Sequence, residues 1–321
     1  MITVRLHSDA DGLHDAGPLD DVSRHLTEGN GLLWIDVTDP QPEEMERIGR
    51  EFGLHPLALE DAIRRHQRPK IDLYDGFMFI VFYALELEDE RPRTRELSLF
   101  VGRGWVVSVH EGALDVVAET ARRWAEHTVD GGSADAGLLV YALLDSVVDG
   151  YFPVVDAIAE RTEDLETAIF AGADGDTQAE IFALKKDLLA VRRIVGPERD
   201  VMNVLIRRDA PLFSGREITY FQDVYDHLLR ITDAIDLYRD LLATALDASL
   251  SMTSFRLNVT VKRMTSGSII LMSMALVAGV YGMNFVNMPE LDWQYGYPMS
   301  LGLMAAIGGG LAWFFHRIDW L

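Results

Sequence analysis

Two long stretches near the end of the chain contain no charged side chain. The first runs from Met264 to Met288 and the second from Trp293 to Phe315, so they are 25 and 23 residues long. A helix needs about 20 apolar residues to cross the hydrocarbon core of a bilayer. We therefore predict two transmembrane helices. The alternative is two buried helices of a soluble core, but such helices rarely reach this length without a charge.

The residues around these stretches indicate an orientation in the membrane. Lys262 and Arg263 precede the first stretch and Arg317 follows the second, whereas the loop between them carries Glu290 and Asp292 and no Lys or Arg. Basic residues concentrate on the cytoplasmic side of membrane proteins. We therefore expect a protein of the cell membrane (the inner or plasma membrane) with both termini in the cytoplasm.

The rest of the chain is strongly acidic. The formal net charge is −22 overall and −20 over residues 1–263, yet the mean hydropathy is slightly positive at +0.06 because apolar residues are concentrated in the two spans. An acidic domain repels phosphate groups, which excludes nucleic acid as a partner. The chain has no cysteine, which excludes a disulfide scaffold, a thiol nucleophile and cysteine-ligated metal.

The N-terminal part has the pattern of an α/β domain. Helices are predicted at 43–52 and 56–65, where Pro40 and Pro56 mark their starts. A turn at Gly102-Arg103-Gly104 is typical of a hairpin. Alternating or continuous apolar runs predict strands at 2–7, 31–37, 77–87 and 96–109.

Long helices follow this domain. The amphipathic stretches 135–170 and 176–208 are separated by Gly172-Ala173-Asp174-Gly175, which predicts an antiparallel helical hairpin. We expect Gly196-Pro197 to kink or break its second arm. The next helix starts near Glu217, has no Gly or Pro until Gly267 and should continue into the first span. At 1.5 Å per residue it would be roughly 95 Å long, so it should pack against copies of itself.

One face of this longest helix is polar or small at nearly every position, even inside the span. Steps of three and four residues trace it as Asp247, Ser251, Ser254, Asn258, Val261, Thr265, Ser268, Met272, Ala275 and Gly279. Such a face should meet water or protein rather than lipid. Two spans per chain cannot enclose a pore, so a channel would need an oligomer whose axis this face lines. The alternative is close packing of helices through small residues.

A short motif follows the first span. It is Tyr281-Gly282-Met283-Asn284-Phe285, and the loop after it contains Met288-Pro289-Glu290-Leu291. This arrangement resembles the CorA family of divalent-cation transporters, whose signature is Gly-Met-Asn at the outer end of the first of two C-terminal spans. The segments His55–Asp61 and Phe221–His227 also look like the cytoplasmic domain and stalk of that family.

The resemblance implies a fold and an assembly. The fold would be an α/β cytoplasmic domain plus a long stalk helix continuous with the first of two C-terminal transmembrane helices, assembled as a funnel-shaped homopentamer. The implied boundaries are an α/β domain at 1–130, a helical hairpin at 131–216, a stalk at 217–263, a first transmembrane helix at 264–286, an extracytoplasmic loop at 287–297, a second transmembrane helix at 298–316 and a cytoplasmic tail at 317–321.

The segment Tyr281, Gly282, Met283, Asn284 is the expected selectivity filter. Mg²⁺ prefers octahedral oxygen coordination and loses its waters reluctantly. A ring of Asn284 amides with Gly282 carbonyls would accept hydrogen bonds from a hydrated ion, and neutral amides avoid the deep trap of a carboxylate ring. Asn284 can also cap the end of the helix, and the two roles are compatible.

The resemblance and the polar face together assign the rest of the pore. Asn258 would form a second polar ring, and Asp247 would form a carboxylate ring. Met272, and with it Met264, would be an apolar constriction, although a Met in a span is more often a packing residue. The other expected pore-lining residues are Ser251, Ser254, Val261 and Thr265.

Acidic residues outside the pore are candidates for attracting or sensing cations. Glu290 and Asp292 in the outer loop would concentrate cations, or would simply keep the loop soluble. The resemblance implies that cytoplasmic Mg²⁺ binds between subunits and holds the pore closed, with Asp223 at the matching stalk position. The candidates for its partner are Asp89 and Glu88 of the next subunit, although their acidic run could equally be an exposed loop.

We therefore predict a channel for Mg²⁺ uptake and not an enzyme. The alternative within the same family is a transporter of Co²⁺, Ni²⁺ or Zn²⁺, against which Met283 argues because zinc-type relatives usually carry Ile there. A membrane-anchored enzyme or sensor is a third hypothesis. The sequence has no Gly-Lys-Ser/Thr phosphate loop, no Gly-x-Ser-x-Gly elbow and no His-Glu-x-x-His helix to support it.

Overall fold

The structure is a computed structural model that describes residues 1–8, 12–15, 31–127, 135–171, 177–207, 213, 215–285, 288–289 and 293–321. The chain divides into two compact units. The first is Met1–Ala168 with Gly175–Thr244, and the second is Ile169–Asp174 with Ala245–Leu321. The predicted turn at Gly172–Gly175 lies outside the described residues.

The first unit contains a seven-stranded mixed sheet. Its strands are β1 (Ile2–Ser8), β2 (Gly12–Asp15), β3 (Leu32–Thr38), β4 (Lys70–Tyr74), β5 (Phe77–Glu88), β6 (Arg91–Gly102) and β7 (Trp105–His110). Their order across the sheet is β2-β1-β3-β7-β6-β5-β4. Only the β3–β7 pair is parallel among these neighbours.

The sequence patterns locate β1, β3, β5 and β7, and they miss β2 and β4. Both missed strands are short, and β4 reads Lys-Ile-Asp-Leu-Tyr, in which two charges mask the apolar alternation. Strand β6 also begins at Arg91 rather than at residue 96, because its charged first half pairs through the backbone with β5 as far as Glu88. The turn at Gly102–Trp105 is confirmed, with Gly104 at φ 81°.

Helices cover both faces of the sheet. On one face α1 (Pro42–Phe52) and α2 (Pro56–Arg64) bury Met45, Ile48 and Ala58 against the apolar side chains of the strands. The other face meets α4 (Ala136–Asp149) and α6 (Thr177–Ile206). The central strands are buried on both sides for this reason, and the long apolar run in β5 reflects it.

Two expectations about the helical part need correction. The predicted single stretch 135–170 is divided at Gly150 into α4 and α5 (Tyr151–Ala171), after α3 (Asp115–His127). We predicted a kink or a break at Gly196-Pro197, and the break does not occur, because α6 runs through both residues. Pro197 removes one backbone hydrogen bond, and tertiary contacts of the neighbouring Glu198 hold the helix in register there.

Two further helices follow α6. The 67-residue α7 (Gly215–Tyr281) makes the stalk continuous with the first predicted span, and α8 (Gly296–Arg317) is the second predicted span. Within the part of the chain that the structure describes, three segments are long and apolar enough to cross a membrane, namely Ala136–Ala171, Arg216–Tyr281 and Gly296–Arg317. Half of the apolar window in Ala136–Ala171 is buried inside the protein, against 6% and 17% in the other two. Burial therefore assigns Ala136–Ala171 to the core.

Candidate ion pathway and metal cluster

The predicted pore residues share one face of α7 in the second unit. All of them are exposed in the single chain: Asp247, Ser251, Ser254, Asn258, Val261, Thr265 and Met272. Met264, the second candidate constriction, is 70% exposed. The chain itself thus leaves this polar face open along both the stalk and the span.

The opposite face of α7 packs against α8. Ser266 is fully buried, and Ile270 and Met274 pack where Gly308 of α8 lets the helices approach closely. A Cβ added at Gly308 would lie 3.1 Å from the sulfur of Met274. At 100° per residue, the α8-contacting face and the predicted pore face are roughly opposite. One side of α7 is therefore used by α8 and the other remains free.

Aromatic side chains stand at both ends of α8. Tyr297 near its start and Trp313 near its end are 75% and 63% exposed. They are about 24 Å apart along the helix, and exposed Trp and Tyr are typical of the two interfaces of a membrane. Near the C-terminal end of α8, the ring of Trp320 stacks on Phe315. The carbonyl oxygen of Trp320 accepts a hydrogen bond from the Ser266 hydroxyl at 3.2 Å.

The predicted filter begins where α7 ends. Tyr281 is the last helical residue, and the amide of Gly282 donates to the carbonyl of Ala278 at 2.9 Å. Gly282, Met283 and Asn284 are exposed. The neighbouring loop residues Glu290 and Asp292 lie outside the described residues, so their assignment to the outer mouth stays a prediction.

A second candidate site lies in the first unit, where α4 and α7 meet. Asp145 and Asp149 of α4 and His227 of α7 each offer a ligand atom, and these atoms lie within 4.8 Å of one another. The Nδ1 atom of His227 is 3.9 Å from Asp145 and 3.8 Å from Asp149. Within the described residues, Oδ1 of Asp145 and Nδ1 of His227 are buried without a hydrogen-bond partner. We call these three residues the metal cluster.

The electrostatics of the metal cluster favour a cation. Burial and the charge of Asp149 raise the pKa of the Asp145 carboxyl to about 6, with a further rise from Asp223 and an opposing effect of His227. Burial and the same carboxylates raise the pKa of the nearby Tyr141 hydroxyl to about 12. A carboxyl whose pKa is raised by burial and by neighbouring carboxylates has too little positive charge beside it.

The predicted sensor residues are thus placed in two locations. Asp223 is one helical turn before His227 on α7 and acts electrostatically on Asp145. Asp89 is exposed at the β5–β6 turn, where its φ is 49°. Glu88 lies beside it but contacts the guanidinium of Arg93 at 2.6 Å. Asp89 therefore has the freer carboxylate of the two partner candidates.

The sequence analysis missed Asp145, Asp149 and His227. A usable signal exists, because Asp145 and Asp149 are four residues apart on one helix and Asp223 and His227 are four apart on another. Residues four apart share a helix face. Only the packing of α4 against α7 brings the two pairs together.

Comparison with known proteins gives a consistent result. A profile of the family described as "CorA-like Mg2+ transporter protein" matches residues 29–317. The putative metal ion transporter YfjQ of Bacillus subtilis (strain 168) is 36% identical over 285 residues, 88% of each chain. The cobalt/magnesium transport protein CorA of Thermotoga maritima is 32% identical over 291 residues, covering 90% of this chain and 83% of that protein.

A solved structure supports the fold independently. The complete structure of the CorA magnesium transporter from Methanocaldococcus jannaschii superposes with a TM-score of 0.83, at 22% identity, over 100% of this chain and 99% of that one. The predicted fold of the single chain is thereby confirmed over its whole length, and the homopentamer stays a prediction.

Proposed function

Because this chain belongs to the CorA-like Mg²⁺ transporter family, it is a membrane transporter of divalent cations rather than an enzyme, and we propose that it takes up Mg²⁺ through a homopentameric pore. Its N- and C-termini are cytoplasmic in this proposal. Inward movement of a divalent ion down a potential of about 100 mV releases about 4.6 kcal/mol, at about 2.3 kcal/mol per charge. No coupled reaction is then needed.

The observation that carries the proposal is the free polar face of α7. Its residues are exposed in the single chain, on the side opposite to α8. Exposed polar residues within a span are costly in lipid and are expected to face water or protein. Five copies of α7 around an axis would line a pore with this face, while α8 would form the outer ring.

In this assembly Asn284 and Gly282 form the filter at the outer end of the pore. Their exposure at the end of α7 leaves the amide and carbonyl oxygens available to a hydrated cation. Asn258 and Asp247 supply further oxygen rings, and Met272 supplies an apolar constriction. The remaining lining comes from Ser251, Ser254, Val261 and Thr265.

We further propose that cytoplasmic Mg²⁺ regulates the pore through the metal cluster and Asp223. The unpartnered buried atoms of Asp145 and His227 are suited to accept a cation. Asp89 of a neighbouring subunit is the proposed additional ligand. Without metal, the acidic groups repel one another, and a bound Mg²⁺ would bridge them and favour the closed state.

Uptake by proteoliposomes tests the pore. Purified full-length protein with an entrapped Mg²⁺-sensitive dye should take up Mg²⁺ under an inside-negative potential, and Asn284→Ala should lower the rate at least tenfold. Asn203→Ala, in the cytoplasmic α6, is the matched control and should behave as wild type. Undiminished uptake by Asn284→Ala would contradict the filter assignment. The native mass of the purified protein should equal that of five chains, and any other mass would contradict the pentamer.

Competition in the same assay tests the ion. Co²⁺, Ni²⁺ and Zn²⁺ are each added at increasing concentration to a fixed Mg²⁺ gradient. We expect Mg²⁺ to be carried at the highest rate. Faster transport of Zn²⁺ or Co²⁺ would favour the alternative ion within the same family.

A further inference from the structure

Two side chains complete the edge of the sheet where β4 stops. The pairing of β4 with β5 begins at Lys70 and Val81, so the backbone of Tyr83 lies beyond it. The Tyr83 amide donates instead to a carboxylate oxygen of Glu198 on α6, at 2.9 Å. The Tyr83 carbonyl accepts a hydrogen bond from the hydroxyl of Tyr151, the first residue of α5. Glu198 and Tyr151 thus replace one residue of the missing strand.

The same two side chains also contact each other. The hydroxyl oxygen of Tyr151 is 2.8 Å from Oε1 and 2.7 Å from Oε2 of Glu198. Glu198 and Tyr151 are both fully buried. The Tyr151 hydroxyl therefore has acceptor atoms of two groups within reach, the Tyr83 carbonyl and the Glu198 carboxyl, but it carries a single proton.

A second proton satisfies every atom of this arrangement. If the Glu198 carboxyl is protonated, it donates to the Tyr151 oxygen, Tyr151 donates to the Tyr83 carbonyl, and the Tyr83 amide donates to Glu198. If Glu198 is ionised, either the Tyr83 carbonyl or the Tyr151–Glu198 contact is left without a proton, and the charge is buried without a cation among its described hydrogen-bond partners. Both outcomes are costly in a buried site.

We infer that Glu198 is a neutral carboxylic acid, closed with Tyr83 and Tyr151 into a ring of three hydrogen bonds that positions the Asp149 end of the metal cluster. This inference rests on the metal-binding role proposed above. The ring reaches the cluster through the α4–α5 junction, where Asp149 ends α4, Gly150 follows and Tyr151 begins α5.

The junction itself lies against β5. A Cβ added at Gly150 would be 3.6 Å from the carbonyl oxygen of Leu85. The ring is the polar attachment of this junction to the sheet, so it fixes where the last turn of α4 stands. Asp149 is on that turn, so the ring sets the distance between Asp149 and His227.

Burial is the largest influence on the protonation of Glu198. Burial raises the pKa of Glu198 well above its usual range, while the hydrogen bonds from Tyr151 and the Tyr83 amide act in the opposite direction. On the sheet side, the Tyr83 hydroxyl oxygen lies 2.6 Å from the Gln67 carbonyl oxygen and 2.9 Å from a carboxylate oxygen of Glu96. The sheet and α5 present no basic side chain to Glu198 among these contacts.

Thermal unfolding of the full-length protein in detergent, without metal, tests the protonation. Glu198→Gln reproduces all three hydrogen bonds with a neutral group and should unfold at a higher temperature than wild type at pH 7. The raised pKa of the folded state means that wild-type stability is lost as pH rises. The gap should therefore widen at pH 8, by up to tenfold in the unfolding constant per pH unit. A Glu198→Gln variant less stable than wild type at pH 7 would overturn the inference.

A second variant of similar size keeps this test interpretable. Glu198→Met fills the same space without hydrogen bonds, and it should be less stable than Glu198→Gln at both pH values. Equal stability of the Met and Gln variants would show that the ring has no role.

Mg²⁺ titration tests the positioning role. Tyr151→Phe removes the hydroxyl and should raise the Mg²⁺ concentration at half-maximal thermal stabilisation about threefold to tenfold, the effect of one ordinary hydrogen bond. Tyr74→Phe, in β4 of the same sheet, is the matched control and should leave that midpoint unchanged.

The failure of this inference and that of the proposed cluster are distinguishable. If wild type responds to Mg²⁺ and Asp145→Asn does not, the cluster stands, and an unchanged midpoint in Tyr151→Phe overturns only the positioning role. If wild type itself does not respond to Mg²⁺, the cluster is wrong, and the positioning role fails with it.

Discussion

The imidazole Nδ1 of His227 lies 3.9 Å from a carboxylate oxygen of Asp145, across the contact between α7 and α4. Both atoms are buried, and in the described part of the chain neither has a hydrogen-bond partner. An unpaired buried polar atom lowers stability because it has lost its water. Without metal, the metal cluster therefore lowers the stability of the protein. A bound cation would reverse this loss.

Replacing Asp145 should stabilise the metal-free protein. Burial and Asp149 raise the pKa of Asp145 to about 6 from a usual value of 3.8. Its contribution to stability is therefore fully present below pH 3.8 and is lost as pH rises through 6. Asp145→Asn should recover up to about 3 kcal/mol at pH 8. Thermal unfolding of the full-length protein at pH 5 and pH 8 measures this. Asp156→Asn, an exposed residue of α5, should show no such pH dependence, and equal behaviour of the two variants would refute the assignment.

The metal response should weaken in acid. A proton on Asp145 competes with the cation, so below its pKa of about 6 the apparent Mg²⁺ affinity should fall by up to tenfold per pH unit. Stabilisation by Mg²⁺ at pH 7.5, 6 and 5 provides the measurement. An affinity that stays constant over this range would exclude Asp145 as a ligand.

The imidazole in the cluster predicts an order among metals. Imidazole nitrogen suits Co²⁺ and Ni²⁺ better than Mg²⁺, which prefers oxygen ligands. In wild type, Co²⁺ and Ni²⁺ should therefore stabilise the protein at lower concentrations than Mg²⁺. His227→Asn should reduce this difference and largely retain the Mg²⁺ response. An undiminished difference between the Co²⁺ or Ni²⁺ midpoint and the Mg²⁺ midpoint in the variant would rule out ligation by His227.

The natural absence of cysteine allows a direct test of the pore face. Ser268 and Ser273 are both in the first span, and each hydroxyl donates to the carbonyl four residues earlier. Ser268 is exposed on the predicted pore face, whereas Ser273 is half-buried towards the α8 side. A charged thiol reagent should block roughly 80% or more of the Mg²⁺ uptake by the Ser268→Cys variant.

The matched variant is Ser273→Cys, in which the reagent should have little effect. Wild type, with no thiol, sets the background of the assay. Block of both variants to the same extent, or of Ser273→Cys alone, would show that the pore face has been placed wrongly.

The contact between the two membrane helices depends on Gly308. A Cβ there would be 3.1 Å from the Met274 sulfur, whereas one added at the next residue, Gly309, has nothing within 4 Å among the described residues. Gly308→Leu should cost about 1–3 kcal/mol through overpacking. Gly309→Leu is the control and should be near neutral. Thermal unfolding in detergent compares them, and similar losses in both variants would contradict the packing.

Part of the candidate site follows from linear patterns. The polar face from Asp247 to Met272 is a matter of spacing along one helix, and it can be traced because α7 is continuous. The short motif Gly282–Asn284 identifies the family because of its place at the end of a charge-free span. The sequence patterns do not predict β2 and β4, because short edge strands with charged residues have no distinct periodicity.

The metal cluster and the Glu198 ring do not follow from such patterns. Asp149 and His227 are far apart in the sequence, as are Tyr83 and Glu198, and nothing local predicts that they meet. From the sequence alone, Glu198 beside Pro197 would be expected to be an exposed acid at the end of a helix. The fold instead buries it and continues the helix.

The sequence by itself determined the two membrane spans, the acidity of residues 1–263 and the family, because charge-free length, charge content and residue spacing are properties of the chain that need no partner element. The tertiary structure decided how the amphipathic stretch Ala136–Ala171 is used, since half of its most apolar window is buried inside the protein. It also decided where Asp145, Asp149 and His227 converge. Such sites depend on helices packing at one angle and register, which is set by the sum of many contacts across the core.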